Sequence, residues 1–292
     1  MNGPFGTVIT AMITPFGENG ELNVSEAIRL AKWLVEQGND ALVITGTTGE
    51  VPTLTDDEKI TMWREISKAV SVPVIAGTGT NNTVHSVELT KQAESVGVAG
   101  ILAVTPYYNR PSQAGISAHF GAIAESTELP ILLYDIPIRT GRKIAYETLI
   151  SLSHQHKNIV GVKDAAGDVA ASGRLLAESS LCIYSGEDAL TLPLISVGAC
   201  GVIGVATHWA TPQFVEMFQS FWKGDVTHAE RVNDQLAESC AFETGDLNPN
   251  PIPAKAMMRT LGFAVGECRL PMGPTPSGLE DRAREVFARL AS

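Results

Sequence analysis

One lysine in this chain stands where a lysine is costly. Lys163 comes directly after the apolar run Ile159-Val160-Gly161-Val162, while Lys32, Lys59, Lys68 and Lys91 fall in helical patterns on what read as polar faces. Burial disfavours an ammonium, so a lysine there is drawn from a reference pKa near ~10.4 toward neutrality. A neutral amine can attack a ketone and form a Schiff base. The competing reading is a structural lysine paired with Asp164 or Asp188. Around it, at the ends of other apolar runs, stand hydroxyls, turn amides and a guanidinium. Gly46-Thr47-Thr48-Gly49-Glu50 offers two hydroxyls and turn N–H groups that can hold a carboxylate without a cation, or it is a plain tight turn. Tyr134, Tyr107 and Tyr108, three of the five tyrosines, sit at run ends and could relay protons. Buried tyrosines otherwise pack as core residues with a satisfied hydroxyl. Arg139 follows Tyr134 and could grip a carboxylate bidentately, or lie on the surface. Arg110 reads as structural or interfacial. The six histidines read mostly as surface residues, with His85 the exception. No His/Cys/Asp/Glu set on this rim has metal-ligand spacing.

These groups need a scaffold that brings eight run ends together. Short apolar, β-rich runs recur at 7–13, 41–46, 72–77, 100–105, 130–135, 159–164, 181–186 and 201–206. They are apolar on both faces, as buried parallel strands are. Between them lie stretches of helical spacing, for example 25–37, 56–69, 84–96 and 211–223. Expected N-caps are Asn23 or Ser25, Thr55, Asn82 or Thr83, and Thr211. Gly38 and Gly97 are expected to stop helices. Eight strand–helix units predict an α/β fold, a (β/α)8 TIM barrel over 1–224, whose chemistry sits at the C-terminal strand ends. A doubly wound open sheet is the rival, but its usual G-x-G-x-x-G after the first strand is replaced by TPFGENG. The pattern changes after 224. Segments 225–242, 252–262 and 279–291, joined by Pro-rich linkers, predict a C-terminal helical extension over 225–292.

Bulk composition narrows the function. The 292 residues carry a formal net charge of −11, so nucleic acid and anionic membranes are not expected partners. Cys182, Cys200, Cys240 and Cys268 form no C-x-x-C pair and are expected to be free thiols, as in a reducing cytoplasm. The N-terminal stretch, broken by Pro4 and Pro15, does not read as a signal peptide, and no run is long enough to span a membrane.

In order along the chain, GTTGE, VTPYYNRP, LLYDIPIRTG, GVKDA, YSGEDA, NPNPIPAK and RLPM resemble the pyruvate-dependent class I aldolases of the dihydrodipicolinate synthase and N-acetylneuraminate lyase family. The resemblance covers essentially the whole chain. It favours the synthase branch, because Thr47 stands where many sialic acid lyases have serine and because Arg139 matches the arginine that binds the aldehyde. The resemblance implies condensation of pyruvate with L-aspartate 4-semialdehyde to 4-hydroxy-tetrahydrodipicolinate. The alternatives are a sugar-acid aldolase of the same chemistry or a barrel without turnover. It also implies roles. Lys163 forms the imine, Thr47 and Thr48 hold the pyruvate carboxylate, and Tyr134 relays protons. Tyr108 reaches a neighbouring subunit's site in a homotetramer built as a dimer of dimers. Arg139 binds the aldehyde's carboxylate, and Gly186 and the Ile203 carbonyl line the site. No metal or organic cofactor is implied, since the lysine supplies the activation. A lysine-effector site would use Asn81, Tyr107 and position 85, where His85 replaces an acid, so lysine inhibition is expected to be weak or absent. Asp135 and Ile138 depart from the asparagine and small residue common in the family.

Overall fold

The computed structural model describes residues 3–291. Eight parallel strands close into a barrel in chain order: β1 (Val8–Ala11), β2 (Ala41–Ile44), β3 (Val74–Gly77), β4 (Gly100–Val104), β5 (Ile131–Asp135), β6 (Ile159–Asp164), β7 (Cys182–Ser185) and β8 (Gly201–Gly204). Closure is direct, with Val8, Ile9 and Thr10 of β1 in register with Val202, Ile203 and Gly204 of β8. An open doubly wound sheet has no such pair. The connections carry α1 (Val24–Glu36), α2 (Asp56–Ala69), α3 (Thr83–Ser95), α4 (Gln113–Ala124), the one-turn α5 (Pro137–Thr140), α6 (Tyr146–Gln155), α7 (Val169–Glu178), the short α8 (Thr191–Ser196) and α9 (Thr207–Trp222). Three helices follow: α10 (Val226–Phe242), α11 (Ile252–Thr260) and α12 (Leu279–Leu290). No helix of the described residues is long and apolar enough to cross a membrane.

Strand faces alternate inward and outward, and both are buried. Ile9, Val43, Ile75, Leu102, Leu132 and Ile203 fill the barrel, and the larger outer core packs Val8, Leu42, Ile44, Ala76, Leu133 and Val202 against the helices. Helix starts follow local chemistry. Asn23 and Asn82 cap α1 and α3, and Thr55 forms a full capping box with Glu58. Gly38 (φ 106°) and Gly97 (φ 89°) follow α1 and α3 in the left-handed region expected of a helix stop.

Three expectations are corrected. The helix expected from 211 begins at Thr207 and breaks at Ala210, just before Thr211-Pro212. Thr211 does not cap it, because its hydroxyl donates back to the Thr207 carbonyl. His119 and His208 are buried, not surface residues. His208 accepts the N–H of Ile13 at Nε2 and donates from Nδ1 to the Val205 carbonyl, so its two nitrogens are satisfied inside the fold. Lys59, read as a residue of a polar face, is buried against Asp56. Helical spacing marks a helix, but it does not tell which of its polar residues finds a partner inside.

Candidate active site

At the C-terminal ends of the strands, pairing puts Tyr134 of β5 level with Lys163 of β6, and Lys163 level with Tyr184 of β7. Lys163 is 4% exposed, and its Nζ lies 4.4 Å from the centre of the Tyr134 ring. Among the described residues three lysines are buried, and their partners separate them. Lys59 pairs with Asp56 at 2.9 Å and Lys255 with Glu50 at 2.6 Å, whereas Lys163 makes no ion pair among the described residues. The two acids read as its partners are occupied elsewhere. Asp164 accepts from Ala166 N–H and the Ser172 hydroxyl, and Asp188 accepts from the N–H groups of Val205 and Ala206. Burial lowers the Lys163 pKa to about 8. Asp188 and Glu243 oppose that shift, and Arg139 adds to it. Gly186 gives the side chain its room, since a Cβ there would lie 2.9 Å from Lys163 Cγ. Ile203, next to last in β8, is fully buried inside the barrel.

Tyr134 is buried at 4% exposure, with the Thr47 side chain near enough to oppose part of the effect of burial on its phenol. Burial pushes the phenol up, so it stays protonated at neutral pH. Thr47 and Thr48 lie in the turn after β2. Thr48 accepts a hydrogen bond from Asn250 Nδ2 at 2.9 Å. The turn is bent by two non-glycine residues with positive φ, Thr45 (58°) and Glu50 (56°). Trp63 Nε1 donates to Thr45 Oγ1, and Thr45 Oγ1 donates to the Gly77 carbonyl. Glu50 is gripped from the C-terminal segment, by Lys255 Nζ at Oε1 and by Arg269 N–H at Oε2 (2.8 Å). Arg139 lies on α5, exposed, with Nη2 3.4 Å from the Asn250 carbonyl. Asn250 therefore touches both the threonine turn and the arginine.

The structure thus gathers Lys163, Tyr134, Thr47, Thr48, Arg139, Gly186 and Ile203 on one rim. It does not bring Tyr108 there: Tyr108 is 90% exposed, with φ 71°, on the loop after β4. Tyr107 beside it is half-buried, and burial raises its phenol. Asn81 receives Asn109 Nδ2 at its carbonyl, which ties the loops after β3 and β4 together. His85 Nε2 meets Asp56 Oδ2 at 2.8 Å, so a carboxylate stands beside position 85 after all, on α2 and held also by Lys59. Asn250, Lys255 and the Asp188–Glu243 pair were not singled out from sequence. Lys255 had a signal of the kind that marked Lys163, being a lysine amid the apolar Ile-Pro-Ala-Lys-Ala-Met-Met of α11. Asn250 and Glu243 had none, because the chain separations they bridge are invisible locally.

The model of the dihydrodipicolinate synthetase (DHDPS) family matches residues 4–289. The chain is 47% identical over 289 residues to the 4-hydroxy-tetrahydrodipicolinate synthase of Acidothermus cellulolyticus, covering 98% of this chain and 91% of that protein. It is 46% identical to the synthase of the same name from Moorella thermoacetica, covering 92% of each. Among solved structures, DHDPS from Cyanidioschyzon merolae with lysine bound superposes with a TM-score of 0.96 at 40% identity, covering 99% of each chain.

Proposed function

The chain belongs to the dihydrodipicolinate synthetase family, and from that premise we propose how its rim residues perform the family's condensation. Its activity is that of a lyase, joining pyruvate and L-aspartate 4-semialdehyde into 4-hydroxy-tetrahydrodipicolinate in lysine biosynthesis. The observation that carries the residue assignment is Lys163, a buried lysine without a carboxylate partner, held near neutrality beside a protonated phenol.

In this reading the neutral Lys163 amine attacks the pyruvate ketone. The carbinolamine loses water, with the proton supplied through Tyr134 and Thr47, and leaves a protonated imine. Thr47 and Thr48 hold the carboxylate by hydroxyl and backbone donors. Loss of a methyl proton to the relay gives an enamine, with the iminium nitrogen as electron sink. The enamine carbon attacks the aldehyde carbon of aspartate semialdehyde, whose carboxylate Arg139 grips, and the new alkoxide takes a proton. The product's own amine then displaces Lys163 and closes the ring. Gly186 and the Ile203 carbonyl bound the space. We take the working enzyme to be a cytoplasmic homotetramer in which Tyr108 reaches into the neighbouring subunit's site. The exposure of Tyr108 and its left-handed backbone support that role.

The test is covalent. Pyruvate with borohydride should leave a reduced adduct on the peptide carrying Lys163, and none in Lys163→Met. A wild-type protein without an adduct there would sink the assignment. Repeating the assay with aspartate semialdehyde, coupled to a reductase that consumes the product, separates condensation from simple imine formation.

A further inference from the structure

Near enough to act on the amine electrostatically is a pair of acids that the reaction as written does not use. Asp188 follows β7 and Glu243 caps the end of α10, and they are 3% and 4% exposed. Asp188 Oδ2 accepts the N–H of Val205 at 2.9 Å and of Ala206 at 2.7 Å. Glu243 Oε2 accepts that same Ala206 N–H at 2.9 Å, so the two carboxyl groups converge on one donor. Neither forms an ion pair with a Lys, Arg or His among the described residues. The absence of a side chain at Gly204 leaves the space they occupy, since a Cβ there would lie 2.6 Å from Asp188 Oδ1.

A carboxylate only accepts, so two of them brought to one N–H repel each other unless one carries a proton. Two carboxyl groups that meet at one N–H, buried and without a cation, do not both ionise. On the reading that Lys163 is the imine-forming amine, we propose that Asp188 and Glu243 share one proton, and that the single negative charge left between them is a positioning device that sets the charge balance at Lys163.

The surroundings fit a single charge. The titratable and charged groups that interact with the pair are Lys163 of β6, Tyr134 of β5, Glu187 of the same loop, and Cys240 of α10, while Arg139 of α5 acts on Lys163, Tyr134 and Glu187. His208 of α9, held down to about 4 by burial, adds no charge at neutral pH. Burial pushes the Glu243 carboxyl well above its usual range, and Asp188 pushes it further. With no charge on the pair, burial of Lys163 goes unopposed and the later iminium loses a counter-charge. With two charges, the starting ammonium is held too firmly to release its proton. One charge serves both states.

The experiment is the pH dependence of borohydride trapping of pyruvate on the full-length enzyme. Glu243→Gln leaves an amide that donates to Asp188 and keeps one charge, so its trapping midpoint should stay with the wild type. Asp188→Asn leaves Glu243 buried with its proton and removes the charge. Its midpoint should fall by about one pH unit, with roughly fivefold faster initial trapping at pH 7, while kcat drops because the iminium is less well balanced. Equal midpoints in wild type and Asp188→Asn, or equal shifts in both variants, would overturn the proposal. In wild-type protein, which needs no variant to fold, carbon-13 labelled glutamate should show at least one carboxyl still protonated at neutral pH, and none doing so would overturn it too. If wild type traps no pyruvate on Lys163, the function assignment fails, while the labelled carboxyl still reports on the shared proton.

Discussion

At the scale of the residue, Lys163 is a destabilising choice that the proposed reaction requires. In the unfolded chain its ammonium is stable up to its ordinary value of 10.5, and in the fold only to about 8. Between those values the unfolded chain binds the extra proton, so the stability of the folded state rises with pH across that window. Below pH 8 the fold carries the whole penalty, about 3 kcal/mol for a shift of this size. Lys163→Met should therefore be inactive yet more stable by about 2–3 kcal/mol at pH 7 in urea unfolding. Its advantage over wild type should shrink as the pH approaches 10.5. Equal or lower stability of the variant at pH 7 would contradict this account. The same 8 fixes the sign for chemistry, because the neutral amine, and with it imine formation, grows as pH rises toward and through that value.

At the scale of the element, the turn after β2 depends on the C-terminal segment. Thr45 and Glu50 adopt positive φ without being glycine, a conformation that persists only where the surroundings impose it. The constraint is the buried Glu50–Lys255 pair, with Lys255 Nζ also donating to the Glu267 carbonyl and lying 4.1 Å from the centre of the Phe16 ring. Arg269 binds Glu58, the Thr53 carbonyl and the Gly20 carbonyl from the same segment. Lys255→Met would leave Glu50 buried and unpaired, which costs about 3–5 kcal/mol. Denaturant unfolding should show that loss, and the KM for pyruvate should rise as Thr47 and Thr48 lose their position. Adding Glu50→Gln should recover part of the stability, because the orphaned charge is gone. A double variant no more stable than Lys255→Met alone would mean that the pair is not what holds the turn.

At the scale of the whole molecule, two buried histidines make the fold sensitive to acid. Burial holds His119 and His208 at about 4, against 6.5 in an unfolded chain. As pH falls from 6.5 to 4 the unfolded chain takes up protons that the fold excludes, so stability declines through that window. Each histidine contributes about 3 kcal/mol of that decline once the pH is below both values. His119 packs edge-on against Phe120 and uses only Nδ1, toward the Thr83 hydroxyl at 3.0 Å. His119→Phe should lose little stability at pH 7 and retain about 3 kcal/mol more than wild type near pH 4, as measured by urea unfolding at both pH values. An unchanged acid profile would place the sensitivity elsewhere.

Much of this molecule was legible before any coordinates. Eight doubly apolar runs spaced by helical patterns were enough for the barrel, because hydrophobic periodicity is local and survives in a single sequence. The barrel then made run ends meaningful, and Lys163, Tyr134, the threonine pair and Arg139 followed from their positions at those ends. Partners across long chain separations were not legible. Glu50 meets Lys255, Thr48 meets Asn250 and Asp188 meets Glu243 only after the C-terminal segment folds back over the strand ends. Sequence by itself determined the scaffold and pointed to the proposed nucleophile, since both rest on where an apolar run stops. Tertiary structure alone decided which buried charges are neutralised, and Lys163 stands apart from Lys59 and Lys255 because the fold brings an ion-pair carboxylate to each of those two and none into contact with this amine.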